Sequence, residues 1–279
     1  MISLPTIPGF ELRQWLGGGP LTQVFAGIDT STQQPVAVKV LREEWQGEPM
    51  AMALLRGEAV AGKSVQHPHL VRIHAAYLDG PPYFLVMELL PGETLRDRLR
   101  RDYSLDVATA VWIARQTAEA LAALHRAGFI HGDLKPENIR LVDAGKVVVM
   151  DLGFARRSGD HAEFLNQGAL LGTANYLAPE RCALEPTIDG RADVFSLGVT
   201  LFEMVTGMLP YPLGTVTETL RAHRERPARD LSDVPGAWSL TLVRLLRRLL
   251  ATRPADRPHL SAVVPELIRL EIATLRRPA

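Results

Sequence analysis

Apolar residues change their spacing near residue 90. Before that point they come as short runs bounded by turn residues. Phe10 to Leu16 and Val24 to Ile28 predict two strands around a glycine-rich turn, and Pro35 to Leu41 predicts a third, its apolar run interrupted only by Lys39. A helical window follows from Pro49 to Val65, and strands return at Val71 to Tyr77 and Tyr83 to Glu88. Pro91 and Gly92 then break the chain. Beyond them Thr94 and Asp106 are suited to cap helices. Val107, Ala110, Val111, Ala114, Ala118, Leu121 and Leu124 recur at intervals of three and four, which marks a long amphipathic helix ending near Gly128. After Pro179 the chain reads as mainly helical, punctuated at Gly207, Pro210, Gly214, Pro227, Pro235 and Pro254. The expected class is α+β. A small β-rich lobe with one main helix spans residues 10–90, and a larger, mostly helical lobe spans 91–270. Residues 271–279 read as a basic tail or linker. The cleft between two such lobes is the default ligand site.

Bulk properties narrow the classes. The 279 residues are 47% hydrophobic and 22% charged, as in ordinary globular proteins. Lys plus Arg equals Asp plus Glu at 31 each, so the basic excess of a nucleic-acid binder is missing and no such partner is expected. The late arginines Arg244, Arg247, Arg248, Arg276 and Arg277 read as a solvated helix face and tail. Cys182 is the sole cysteine; it cannot form an internal disulfide and reads as a packing residue. No basic-then-apolar leader opens the chain, and no apolar run approaches the ~18 residues of a membrane span. The expectation is a cytoplasmic chain, alone or as the cytosolic part of a longer protein.

Chemistry concentrates in HGDLKPEN, His131 to Asn138. Asp133, Lys135 and Asn138 are followed by Asp151 of DLG, eighteen positions after Asp133. A base or orienter, a cation for phosphate and two hard oxygen ligands for a metal are the parts phosphoryl transfer requires. At these residues the chain resembles the eukaryotic-like (Hanks-type) serine/threonine protein kinase family, in a style similar to its bacterial members, over roughly residues 10 to 270. The resemblance implies a bilobal kinase fold, ATP with Mg2+ (Mn2+ as a substitute), and protein substrates carrying Ser or Thr acceptors. Asp133 would accept the hydroxyl proton, Lys135 would neutralise the moving phosphate, and Asn138 and Asp151 would hold the metal. LGGGPLTQV resembles the family's glycine-rich loop, which places Leu16, Gly17, Gly18, Gly19 and Val24 over the nucleotide. Lys39 of VAVK would hold phosphates and pair with Glu58. Ala37, the gatekeeper-like Met87, and the backbone of Glu88 and Leu90 would line the adenine site. LGTANYLAPE resembles the end of the activation segment. Thr173 would bond near Asp133 and Lys135, Glu180 would pair with Arg257, and Asp193 would anchor the loop backbone. His131 reads as structural.

Several positions depart from the family. Thr22 stands where the third loop glycine is usual. Gly62, one turn after Glu58, replaces a bulky apolar residue, which implies a helix that docks weakly and a regulatory partner that steadies it. Gly132 stands where the family has an arginine that binds an activation-loop phosphate, and Ser158 is the only hydroxyl residue between Phe154 and Leu171. Together these predict activity without activation-loop phosphorylation. Arg140 sits where an aliphatic residue packs under adenine, its stem able to cover an apolar face. Glu137, Asp160 and Glu163 could attract basic peptides or form a solvated acidic face. Two other readings stay open on these residues: a pseudokinase scaffold, favoured by Gly62, Thr22 and Arg140, and a small-molecule phosphotransferase of the aminoglycoside or choline kinase type, favoured by HGD.

Overall fold

Five strands form one antiparallel sheet at the N-terminal end. They are β1 (Phe10–Gly18), β2 (Thr22–Asp29), β3 (Pro35–Leu41), β4 (Ile73–Tyr77) and β5 (Phe84–Glu88), in the spatial order β1-β2-β3-β5-β4. The computed structural model describes residues 4–143, 145–157, 174–182, 188–212 and 214–275. Ser158, Asp160, Glu163, Thr173 and the side chain of Cys182 lie outside the described residues.

Period-two alternation explains where Lys39 points. Val36, Val38 and Val40 pack on one face of β3 with Phe25, Phe84 and Val86. Ala37 and Leu41 pack on the other face with Leu85, Met87 and the helix α1 (Pro49–Ser64). Lys39 falls between Ala37 and Leu41 and pairs across the ladder with Leu85, so its ammonium enters the space under α1. Pro49 occupies the first turn of α1, where a missing N–H costs nothing.

The chain then crosses to the larger lobe. Thr94 caps α2 (Leu95–Asp102) with a full capping box to Asp97, and Asp106 caps α3 (Val107–Arg126) by accepting from Thr109 N at 2.9 Å. A three-stranded sheet, β6 (Glu93–Thr94), β8 (Ile139–Val142) and β9 (Lys146–Val149) in the order β6-β8-β9, carries the hinge against the lower lobe. These strands and the two-residue pair β7 (Phe129–Ile130) and β10 (Arg156–Arg157) were not expected from the sequence. They are too short for their alternation to stand out from the apolar runs around them. The helical remainder comprises α4 (Pro179–Cys182), α5 (Arg191–Thr206), α6 (Val216–Glu225), α7 (Leu240–Leu249) and α8 (Leu260–Leu275).

Helix α5 is buried on nearly every side and is the centre of the lower core. Its hydroxyls avoid the cost of burial by donating one turn back: Thr200 to Ser196 O at 2.9 Å and Thr206 to Phe202 O at 2.7 Å. Late arginines form surface pairs, Arg247 with Asp230 and Arg248 with Glu266. No helix among the described residues is long and apolar enough to cross a membrane.

Candidate active site

The cleft gathers charged groups from both lobes. Lys39 Nζ lies 2.7 Å from Glu58 Oε2 on α1 and 2.7 Å from Asp151 Oδ1 after β9. Burial acts to lower the ammonium's pKa, but the carboxylates of Asp151 and Glu58 outweigh it and the pKa rises, so Lys39 stays charged. Burial acts the other way on Asp151, and Lys39 overcomes it, holding that carboxyl down at about 2. Glu58 is raised, chiefly by burial, with Lys39 opposing. Asp151 adopts φ +59°, a left-handed conformation uncommon outside glycine and often found at functional sites.

Below this cluster Lys135 Nζ donates to Asp133 Oδ2 at 2.7 Å. Asn138 Nδ2 donates to Asp133 O at 2.8 Å and to Asp133 Oδ2 at 3.1 Å, which leaves its carboxamide oxygen for another ligand. Burial raises the Asp133 pKa, and Lys135 only partly offsets that. Lys135 acts on Asp151 and Asp151 on Asp133, so the two groups share one field. The donor chemistry suits a hard divalent cation: the Asp151 carboxylate, which shares the Lys39 ammonium with Glu58, and the Asn138 carboxamide oxygen.

The loop bearing Asp133 is tied from below. Asp193, in the first turn of α5, accepts from His131 N at 2.8 Å and Gly132 N at 2.9 Å, and His125 Nε2 lies 2.8 Å from it. Burial opposes ionisation there, yet these donors hold the Asp193 carboxyl at about 2. His131 is buried and directs Nε2 to Met150 O at 3.0 Å. Glu180 meets Arg257 in a two-pronged pair at 2.7 and 2.8 Å, and Arg257 also stacks over Phe195. Val24, Ala37, Met87 and Leu90 share one apolar cluster between hinge and sheet, while Leu16 stands exposed at the lip.

The Protein kinase domain family model matches residues 10–266. The chain belongs to the protein kinase family. Bacterial serine/threonine-protein kinases are among the similar curated proteins. Serine/threonine-protein kinase PknB of Mycolicibacterium smegmatis is 34% identical over 271 residues, covering 94% of this chain and 43% of that protein. Pkn1 of Myxococcus xanthus, also named a serine/threonine-protein kinase, is 35% identical over 252 residues, 89% of this chain and 36% of that protein. PknL of Mycobacterium tuberculosis is 34% identical over 246 residues, 87% and 60% respectively. The chain thus spans about two fifths of the length of the PknB relatives it matches.

Three departures from the kinase family acquire physical reasons here. At Gly62, where weak docking of α1 is expected, the helix meets β3 through the Glu58–Lys39 pair, and Ile73 of β4 fills the gap. A Cβ on Gly62 would sit 2.4 Å from Ile73 Cδ1. Gly132 has φ +79°, and a Cβ there would lie 2.8 Å from Phe154 O. The Thr22 carbonyl accepts from Gly19 N at 2.9 Å, so the turn closes as a tight hairpin through a backbone atom. The sequence reading missed His125, Ile73 and Arg181, whose guanidinium donates to Gly132 O. It also missed Arg96, which bonds Glu137 at 2.8 Å, Glu203 at 2.7 Å and the Tyr176 hydroxyl. Glu137 is therefore engaged within the lobe, and the Tyr176 hydroxyl donates to Glu203 at 2.5 Å. None of these carries a motif; each is fixed only by tertiary proximity.

Proposed function

We propose that the chain is an ATP-dependent protein kinase that transfers the γ-phosphate to Ser or Thr hydroxyls of protein substrates. The observation that carries this reading is the meeting of Lys39, from the small lobe, with Asp151, from the large lobe, at 2.7 Å above the Asp133–Lys135 pair. In this reading Asp133 orients the acceptor hydroxyl and takes its proton at a carboxylate oxygen. Its burial-raised pKa makes it a better base than an exposed aspartate. Lys135 stabilises charge on the phosphoryl group, and Lys39 steadies the inner phosphates, itself oriented by Glu58. Asp151 and the Asn138 carboxamide oxygen would hold Mg2+ or Mn2+, which when bound supplies positive charge to the phosphate oxygens. Thr173 is proposed to bond beside Asp133 and Lys135. Leu16, Gly17, Gly18, Gly19 and Val24 roof the nucleotide; Ala37, Met87, Glu88 and Leu90 border its base.

Activity is proposed not to need phosphate on the activation loop. Gly132 brings no guanidinium to such a phosphate, and its backbone conformation excludes the usual arginine without strain. Regulation is proposed to act on α1, where a partner protein would steady the Lys39–Glu58 pair, and residence in the cytoplasm belongs to the same reading. The test is phosphate transfer from radiolabelled ATP to a mixed peptide library. Phosphoserine or phosphothreonine should appear with unphosphorylated wild type, and Asp133→Asn should lose about 10²- to 10⁴-fold in kcat. Binding of ATP without transfer would instead support a scaffold, and label on an aminoglycoside alone would overturn the protein-kinase reading.

A further inference from the structure

The glycine-rich turn is held from outside itself. Gly17, Gly18 and Gly19 give the chain wide backbone freedom where β1 ends. Yet the next carbonyls all have partners on one distant stretch. Gly19 O accepts from Arg42 Nε at 3.1 Å, Pro20 O from Trp45 Nε1 at 3.1 Å and Leu21 O from Arg42 N at 2.9 Å. Both donor residues lie on the connection from β3 to α1. There Trp45 N donates to Arg42 O at 3.0 Å, closing a single 3-10 turn over Glu43–Trp45. Leu21 and Trp45, each half-buried, pack on the cluster of Leu41, Ala51, Met52 and Leu55. Trp45 O accepts from Glu48 N at 3.2 Å, one residue before α1 begins. The hairpin does not need this strap in order to close: the β1–β2 ladder and the bond from Gly19 N to Thr22 O already do that. What the strap adds is a fixed placement of the turn relative to β3, which carries Lys39, and to the start of α1, which carries Glu58.

We propose that Arg42 and Trp45 are positioning residues for the nucleotide, strapping the glycine turn at a set height over the cleft before the ligand arrives. The inference rests on the reading that this cleft binds ATP beneath that turn. Neither residue touches the reacting atoms; each acts through the carbonyl it holds. A free glycine turn loses its backbone freedom when a ligand orders it, and that loss is subtracted from affinity. A turn ordered beforehand avoids the loss. One piece of backbone, Arg42 to Glu48, then sets both the roof of the site and the entry of the helix that aims Lys39.

The experiment measures displacement of a fluorescent ATP analogue by ATP in Mg2+, on the full chain and on Arg42→Met, Arg42→Gln and Trp45→Phe. Steady-state kinetics and amide hydrogen exchange are run alongside. Arg42→Met and Trp45→Phe each remove one donor. Each should speed exchange over residues 17–22 and weaken ATP by about three- to tenfold. The KM for ATP should rise by the same factor, with kcat changed by less than about twofold. Glutamine puts an uncharged amide nitrogen at the same reach as the arginine Nε, so Arg42→Gln should recover most of the lost affinity. Affinity as poor in Arg42→Gln as in Arg42→Met overturns the proposal, because the charge and not the strap would then matter. Wild-type affinity in either Arg42→Met or Trp45→Phe overturns it, whether or not exchange at the turn rises. Exchange that rises equally in β4 and β5 overturns it too, since the two residues would then support the whole lobe. A wild type that binds no ATP overturns the nucleotide reading itself, and this role with it.

Discussion

Asp193 in the lower lobe has both oxygens filled by donors of its own lobe, whereas Glu58 in the upper lobe shares one ammonium with Asp151. The first carboxylate sits at the start of a fully buried helix and takes two backbone amides and an imidazole. The second has one well-formed partner: Oε1 of Glu58 is buried, and the Leu152 amide acts on the carboxylate without a hydrogen bond of good geometry to that atom. The lower cluster needs nothing from outside to be satisfied. The upper cluster carries two carboxylates on one cation and gains from an added positive charge. Rigidity is thus invested under the residue proposed to handle the proton, and adjustability in the groups proposed to handle the nucleotide.

Asp193→Ala should expose the difference most strongly. It strands the His131 and Gly132 amides in a dry interior, at about 1–3 kcal/mol per donor, for a total of about 3–5 kcal/mol in denaturant unfolding. The pH dependence has a definite sign. The folded carboxyl lies at about 2 against an ordinary 3.8, so its contribution is full above 3.8 and is lost as pH falls toward 2. The variant should lack that part of the acid transition. A loss below about 1 kcal/mol would mean that water replaces the carboxylate and that the anchor is not rigid.

Glu58→Gln should leave stability nearly untouched and act on catalysis. Lys39 keeps Asp151 but loses the contact that aims it, and a charge-assisted hydrogen bond of about 1.5–3 kcal/mol corresponds to roughly 10- to 150-fold in kcat/KM. If this variant unfolds as readily as Asp193→Ala, the contrast between the clusters fails.

The legibility of the chain follows the same divide. Strands β1 to β5 and helix α1 could be read from their apolar runs and the turn residues that bound them, and Lys39 stood out as a charge within an apolar run. The spacing of Asp133, Lys135, Asn138 and Asp151 could be read because one short loop and one turn carry all four. What could not be read is what fills space. Nothing in the sequence says that Ile73 leans into the gap at Gly62, that His125 reaches Asp193, or that Arg96 bridges Glu137 and Glu203. Strands β6, β8 and β9 were hidden because pieces of two to four residues show no period.

The gap at Gly62 gives a packing version of the comparison. Gly62→Leu drives a side chain into Ile73 and should cost about 1–3 kcal/mol. Ile73→Ala alone should cost about 2–5 kcal/mol. Made together they should cost less than the sum by about 0.5–3 kcal/mol, because each supplies the room or the volume the other lacks. Additive losses in a double-mutant cycle would show that the two residues do not share this space.

The subtlest test separates the two cations of the cleft. In the proposed mechanism Asp133 must be ionised to accept a proton, and burial already raises its pKa above that of an ordinary aspartate, with Lys135 pulling it back. The rate should therefore fall on the acid side as pH drops through that raised value. Lys135→Met removes the opposing charge, so Asp133 should protonate at a higher pH and the acid limb of the kcat profile should move upward. Glu58→Gln, which touches Lys39 and not Lys135, should lower the profile without moving that limb. An acid limb that shifts equally in both variants would mean that one coupled network, and not two separable clusters, sets the proton chemistry.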